Sequence, residues 1–130
     1  MLFRSGQRKC ARWRRIAQEA AKQCGRATIP TVDVPCRFED VLPRLDQAPL
    51  ILIPTLAVDT QPLSEVLHAH RGANAVVALI GPEGDFSRRE VEAAVARGAQ
   101  PVSLGRLTLR SETAAVATLA VLRYASGGLA

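Results

Sequence analysis

Residues 75–90, AVVALIGPEGDFSRRE, join a predicted strand to a predicted helix. The apolar run AVVALI is typical of a strand buried on both faces, and it stops where Gly81 and Gly84 flank a proline. Ser87 and Glu90 then have the spacing of a capping box, in which each side chain accepts a hydrogen bond from a backbone N–H of the other residue. The stretch therefore predicts a strand–turn–helix unit.

The rest of the chain repeats this alternation of apolar strands and amphipathic helices. Further strands are predicted at 28–34, 49–54 and 101–105, the first of them weak. Helices are predicted at 8–25, 38–45, 62–70, 88–97 and 111–126. Continuous apolar strands separated by helices are typical of a parallel sheet with helices on both faces. The predicted fold class is therefore α/β, in one domain that spans residues 1–130.

The sequence also predicts the structural roles of several residues in these helices. Trp13 is predicted to anchor the core, with stacking on a nucleic-acid base as the alternative. Pro43 lies late in its helix and is expected to shorten or kink it. Val91 and Val95 are expected to face the core, and Ser111 is the predicted cap of the last helix.

Positive charge is concentrated at the start of the chain. Residues 1–26 hold eight basic residues and one acidic residue, which gives them a net charge of 8 − 1 = +7. The net charge of the whole chain is +5. Such an asymmetry suggests a polyanionic partner such as RNA or DNA, and the alternative is a solvated helix face. The candidate RNA-binding residues are Arg8, Arg12, Arg15, Lys22 and Arg26.

Other features narrow the class of protein and of site. No run approaches the roughly 20 apolar residues of a membrane span, and no signal peptide is recognised, so a cytoplasmic location without membrane contact is expected. The three cysteines form no CxxC pair and are expected to be small buried residues. His68 and His70 face different directions on a predicted helix, so no metal site is expected.

The carboxyl ends of three predicted strands indicate where a ligand would bind. In open parallel sheets ligands lie beyond these ends, which here fall at Pro54, Gly81 and Gly105. Glycine lets a ligand approach the backbone, so this edge suits a flat heteroaromatic group such as adenine between aliphatic walls. A triphosphate is not expected, because the phosphate-loop motifs are absent and Glu83 and Asp85 would repel it. The alternative is that the glycines only make tight turns.

Three stretches of the sequence together resemble a known family. They are LIGPEGDFSRREVEAA, VSLGRLTLRSETAA, and RWRRIAQEAAKQCGR followed by IP. In this order and spacing they are similar to the RsmE-type ribosomal RNA methyltransferases of the SPOUT class. The resemblance extends from about Arg8 to Tyr124.

The resemblance implies a fold and an activity that periodicity does not. It implies an alpha/beta knot fold with a C-terminal trefoil knot, and a homodimer that transfers a methyl group from S-adenosylmethionine to N3 of a uridine in small-subunit ribosomal RNA. The implied cofactor-binding residues are Pro54, Ile80, Gly81, Pro82, Gly84, Ser103, Leu104, Gly105 and Leu109. Arg110 is the candidate for stabilising charge on the uracil. Glu112 or Glu83 is the candidate for orienting the base, or Glu112 holds Arg110 in place. Alternatively, Arg110 contacts a phosphate and Glu112 is a helix N-terminal charge.

The chain departs from the family pattern at two positions and in length. Asp85 stands where the family usually has Gly, and Leu107 stands where it usually has Arg. The family's N-terminal PUA-like RNA-binding barrel and the first strand and helix of its methylase domain are expected to be missing. Alternatives are therefore a ribose 2′-O methyltransferase, an inactive dimer that binds cofactor or RNA, and a flavodoxin-like binding protein.

Overall fold

The computed structural model describes residues 2–128, with side chains from Gly6 onward. These residues form two compact units, one up to Arg37 and one from Phe38. Over the described part of the chain, no helix has both the length and the apolar character needed to cross a membrane.

The first unit consists of one helix and an irregular segment. Helix α1, Leu2–Cys24, begins earlier than predicted. Gly25 terminates it, with a φ of 76° in the left-handed region that glycine tolerates. The segment 25–37 has no strand, so the strand predicted at 28–34 is wrong. Instead the backbone carbonyl of Val32 accepts hydrogen bonds from Arg14 Nε at 2.9 Å and Cys10 Sγ at 3.6 Å.

The buried stripe of α1 is narrow. It includes Cys10 and Ala21, while Trp13 is 44% exposed and is not the predicted core anchor. Cys24 and Cys36 are also exposed, so the expectation of buried cysteines is confirmed for Cys10 alone. The physical reason is that only the irregular segment packs on the helix within this unit, and small residues suffice to fill that contact.

The second unit contains the remaining elements. They are α2 Phe38–Val41, a 3-10 helix Leu42–Gln47, β1 Leu50–Pro54, β2 Gln61–Pro62, α3 Leu63–Ala69, β3 Val76–Ala78, α4 Arg88–Ala96, β4 Gln100–Ser103 and α5 Ser111–Ala125. Pro43 lies in the first turn of the 3-10 helix, where its missing N–H costs no helical hydrogen bond. The expected shortening of α2 is therefore confirmed.

The four strands form one parallel sheet in the order β2-β4-β1-β3. At its centre, Leu52 of β1 pairs with Ala78 of β3 and with Gln100 of β4. In the described part of the chain β3 is an edge strand, and its residue Val76 is 37% exposed. The prediction that this strand is buried on both faces is therefore wrong. Strands β3 and β4 are shorter than predicted because the residues that follow them leave the sheet as loops.

Helices cover both faces of the sheet, as predicted. Ile51 and Ile53 of β1 point to one face, where they pack with core residues of the 3-10 helix and α4. Leu50 and Leu52 point to the other face, where they pack with Leu63 of α3 and with residues of β4 and α5. This alternation follows from the two-residue period of a strand. The trefoil knot stays a prediction.

The start of α4 agrees with the predicted capping box. Glu90 N donates to Ser87 Oγ at 3.1 Å, and Ser87 N donates to Glu90 Oε1 at 2.9 Å. Val91 is fully buried, whereas Val95 is exposed, so its predicted place in the core is wrong. The buried face of α4 is narrower than its apolar pattern because the helix lies on the sheet along one side only.

Replacing Ser87 with alanine tests the capping box. The substitution leaves the N–H of Glu90 without its side-chain acceptor, so we expect the free energy of unfolding to fall by about 1 kcal/mol. Chemical denaturation measures this change. Ser64→Ala is the matched control, since Ser64 is an exposed serine of α3. Equal stability of the two variants would contradict a stabilising role for the box.

Candidate functional site

A cleft opens at the carboxyl edge of the sheet, within the second unit. The ends of β1 and β4, the start of α5 and three loops form it. The loops are the first loop, 55–57 after β1; the second loop, 79–87 after β3; and the third loop, 104–110 after β4. The cleft holds about 620 Å³ of empty space, part of it open to solvent. The predicted convergence of these three strand ends is therefore confirmed.

Most residues of the implied cofactor-binding set lie in the wall of this cleft. Those that line it are Pro54, Ile80, Gly81, Pro82, Ser103, Leu104, Gly105 and Leu109. Gly84 is exposed and does not line the cleft. The cleft is also lined by residues outside the implied cofactor-binding set: Thr55, Leu56, Glu83, Asp85, Val102, Leu107, Thr108, Ser111 and Ala114.

Gly81 lies at the tightest point of the second loop. A Cβ at this position would be 3.1 Å from both the ring Cδ2 and the backbone nitrogen of Phe86. The carbonyl of Gly81 accepts a hydrogen bond of 2.7 Å from Ser111 Oγ. The prediction that Ser111 caps α5 is therefore wrong, and the N-cap residue is Arg110. The Ser111 hydroxyl instead joins the start of α5 to the second loop.

Asp85 connects the first and second loops. Its Oδ2 accepts a hydrogen bond from Leu56 N at 2.7 Å, and its Oδ1 accepts one from Phe86 N at 2.6 Å. The hydroxyl of Thr55, a residue only 7% exposed, also donates to this carboxylate at 3.0 Å. Ala57 N donates in turn to Thr55 Oγ1 at 3.0 Å, which orders the first loop further.

The third loop turns sharply at Gly105. Its φ of 119° is a conformation that other residues rarely adopt, and its N–H donates to Ser103 Oγ at 3.1 Å. Beyond the turn, Leu107 is 81% exposed although it lines the cleft. The third loop therefore places an apolar side chain at the cleft mouth, where an arginine was expected from the family pattern.

The three candidate catalytic residues lie around this cleft. Glu83 lines it and is exposed. Arg110 directly precedes Ser111 of the cleft wall, and Glu112 lies in the first turn of α5. Within the described residues no ion pair joins Arg110 to Glu112.

The two histidines lie away from the cleft. His68 is exposed, and the Nδ1 atom of the half-buried His70 is 2.8 Å from the carbonyl oxygen of Val66. Among residues 2–128, no group of three or more His, Cys, Asp or Glu side chains is arranged to hold a metal ion.

The candidate RNA-binding residues all belong to the first unit. Arg8, Arg12, Arg15, Lys22 and Arg26 are exposed. On α1 the first four follow three-, four- and seven-residue spacings, which place them on one side of the helix, opposite the stripe of Cys10 and Ala21. A basic face, interrupted by Glu19 between Arg15 and Lys22, is therefore open to solvent within this unit.

Comparison with known sequences shows which family this chain matches. Residues 3–123 match the family described as RNA methyltransferase domain. The chain is 34% identical over 120 residues to the ribosomal RNA small subunit methyltransferase E of Synechocystis sp., covering 92% of this chain and 40% of that protein. It is 31% identical over 110 residues to the same-named protein of Mesomycoplasma hyopneumoniae, covering 85% and 46%.

Solved structures are similar over the same region. A methyltransferase of Legionella pneumophila in complex with the cofactor SAM superposes with a TM-score of 0.83 at 33% identity, covering 94% of this chain and 48% of that one. A ribosomal RNA small subunit methyltransferase E of Neisseria gonorrhoeae bound to S-adenosyl methionine has a TM-score of 0.76 at 28% identity, covering 92% and 49%. This chain spans less than half the length of these four proteins. Because the family match extends over residues 3–123, the chain belongs to the RNA methyltransferase domain family.

Proposed function

We propose that this chain is the cofactor-binding part of an S-adenosylmethionine-dependent RNA methyltransferase, and that its target is N3 of a uridine in small-subunit ribosomal RNA. The observation that carries the proposal is the cleft formed by three strand ends, in a chain whose structural relatives bind S-adenosylmethionine. The choice of N3 rests on the resemblance to the RsmE-type enzymes.

The residues of the cleft fit this cofactor. Ile80, Leu104 and Leu109 provide aliphatic walls for a flat adenine, and the backbone at Gly81 and Gly105 is close to the cleft. Bound there, S-adenosylmethionine would supply a methyl group attached to a cationic sulfonium. Among the lining residues are two carboxylates and no basic side chain, a balance that favours a cation.

Arg110 is the residue proposed to act on the base. N3 of uracil carries a weakly acidic proton, which a base must take up for N3 to form a bond to the methyl carbon while the bond between that carbon and sulfur breaks. As the proton leaves, negative charge spreads onto the two neighbouring carbonyl oxygens, until the new bond neutralises the base. A guanidinium at the start of α5 can donate hydrogen bonds to such an oxygen, and Glu112 or Glu83 can accept one while orienting the base.

We propose the basic face of α1 as the RNA contact. Phosphate neutralisation by exposed Lys and Arg provides most of the sequence-independent affinity for nucleic acid. The exposed residues Arg8, Arg12, Arg15 and Lys22 lie on one side of the helix and suit this role. The base would be selected elsewhere, at the cleft, because contacts with phosphate position the RNA without reading its sequence.

The proposed assembly is a homodimer in the cytoplasm. Val116, Leu119 and Tyr124 of α5 are exposed apolar or aromatic side chains, and such a surface suits contact with a second copy. Sedimentation equilibrium of the purified chain would give the mass of the assembly, and a monomer at micromolar concentration would contradict the proposed dimer.

The proposed function has a two-part test. Calorimetric titration with S-adenosylmethionine measures binding, and transfer of a labelled methyl group to small ribosomal subunits lacking the modification measures catalysis. We expect saturable binding and a label on uridine N3. A label on a ribose 2′-oxygen would replace the proposed target, and binding without transfer would indicate a cofactor-binding protein. Absence of binding would refute the proposal.

A triple substitution tests the RNA contact. Replacing Arg8, Arg12 and Arg15 with alanine should lower RNA affinity and reduce the slope of log K against log salt by about 2, since each phosphate contact to a single strand contributes about 0.7. Fluorescence anisotropy with an RNA fragment at several salt concentrations measures the slope.

The matched control removes the same charge from the second unit. Arg88, Arg89 and Arg97 are exposed, and two of them form ion pairs, with Glu92 and Asp46. Their replacement with alanine should leave the slope within about 0.5 of its original value. Equal losses in both triple variants would mean that general charge, and not α1, determines RNA affinity.

A further inference from the structure

Asp85 occupies a backbone conformation that glycine would adopt with less strain. Its φ of 66° is in the left-handed region, where a non-glycine residue is uncommon, although Asp tolerates it better than most. The backbone at this point therefore does not require an aspartate. The reason for the residue has to be sought in its side chain.

The carboxylate of Asp85 accepts hydrogen bonds from two loops at once. The bonds from Leu56 N and Phe86 N are short, 2.7 and 2.6 Å, as is typical when the acceptor is charged. Thr55 Oγ1 is 3.0 and 3.1 Å from the two carboxylate oxygens. Leu56 and Thr55 lie in the first loop and Phe86 in the second, and both loops line the cleft.

One consequence concerns Leu56. Its side chain is 65% exposed although it is apolar, and it lies at the cleft wall. The hydrogen bond from its N–H to Asp85 holds the backbone that carries this side chain. An apolar side chain held in this way is available to cover a ligand in the cleft. The contact would remove apolar surface of Leu56 from water, which is favourable.

We infer that Asp85 is a positioning residue of the cleft: its carboxylate joins the first loop to the second and keeps Leu56 at the cleft mouth before the ligand arrives. Ordering a loop in advance raises affinity, because the entropy cost of ordering is then not paid on binding. This inference rests on the proposed function, since the ligand whose affinity it raises is S-adenosylmethionine.

Two substitutions at Asp85 separate the carboxylate from the backbone. Asp85→Gly removes the side chain and its hydrogen bonds but relieves the strain of the positive φ, so the thermal midpoint should fall by less than the lost hydrogen bonds alone would lower it. Asp85→Asn keeps one acceptor oxygen, whereas the carboxylate uses both oxygens for backbone N–H groups. The effect of Asp85→Asn should therefore lie between those of the original chain and Asp85→Gly.

The first readout needs no ligand. Amide hydrogen exchange of the free protein should be about tenfold faster at Leu56 and Phe86 in Asp85→Gly, because a lost hydrogen bond exposes these N–H groups. The second readout is calorimetry with S-adenosylmethionine, where we expect the Kd to rise about tenfold. Asp59→Asn is the control, since it removes another carboxylate, an exposed one, and should change neither value.

The outcomes distinguish this inference from the proposed function. Unchanged exchange at Leu56 in Asp85→Gly would overturn the inference, because the carboxylate would then not order the first loop. Faster exchange with an unchanged Kd would overturn the positioning role alone and leave the proposed function standing. If the unaltered chain binds no S-adenosylmethionine, the proposed function fails, and the positioning role for that ligand fails with it.

Discussion

Gly81→Ala is expected to weaken S-adenosylmethionine binding roughly 100-fold, equivalent to about 2.7 kcal/mol. The added Cβ would lie 3.1 Å from the backbone nitrogen of Phe86, closer than nine in ten real contacts of such a carbon. Phe86 cannot move away easily, because its ring packs against the core. The centroid of this ring is 5.9 Å from the centroid of the Phe38 ring. The second loop must shift instead, and this shift displaces the Gly81 carbonyl that accepts the hydrogen bond from Ser111 Oγ.

Calorimetry and thermal unfolding together measure the effect of Gly81→Ala. Forcing an extra carbon into a packed site costs about 1–3 kcal/mol of stability, so the thermal midpoint should also fall. Gly72→Ala is the control, since a Cβ at that exposed glycine meets nothing within 4 Å. Unchanged cofactor binding in Gly81→Ala would mean that the second loop is not part of the binding site.

Arg110→Ala is expected to reduce turnover by about 100- to 1000-fold, the range typical of losing a donor that stabilises developing charge. Cofactor affinity should change by less than about twofold, because Arg110 is not among the residues that line the cleft. Single-turnover methyl transfer gives the rate, and calorimetry gives the affinity. The two measurements together separate a role in the reaction from a role in binding.

Arg106→Ala is the matched control for Arg110→Ala. Arg106 is an exposed arginine of the same third loop and does not line the cleft either, so its loss should leave the turnover nearly unchanged. If Arg110→Ala raises KM for RNA and leaves kcat unchanged, Arg110 contacts the RNA in ground state and transition state alike, as a phosphate contact would. Unchanged kcat and KM would refute any role in methylation.

Local patterns in the sequence were sufficient to predict several elements. The capping box at Ser87 and Glu90 agrees with the structure because both partners lie within one turn of the same helix. The parallel sheet also agrees, because apolar runs separated by helices can be buried only in such a layered arrangement. The strand at 28–34 was wrong because a strand needs a pairing partner, and Val32 contacts the side chains of α1 instead.

Burial was harder to predict than element type. Trp13 and Val95 are apolar residues at helical spacing, yet both are exposed. Periodicity indicates which side of a helix is apolar, but only the packed neighbours decide how much of that side is covered. The exposed valine Val76 on the edge strand β3 shows the same limit, since the burial of a strand depends on the strands beside it.

The position of the cleft followed from the sequence because parallel strands place their carboxyl ends at the same edge, so Pro54, Gly81 and Gly105 had to meet there. What the sequence could not determine is the set of contacts that shape this cleft. Asp85 reaches Thr55, and Ser111 reaches Gly81, across 30 residues of chain in each case. Local order depends on neighbours in the chain, whereas these hydrogen bonds depend on where the folded loops place their donors and acceptors in space.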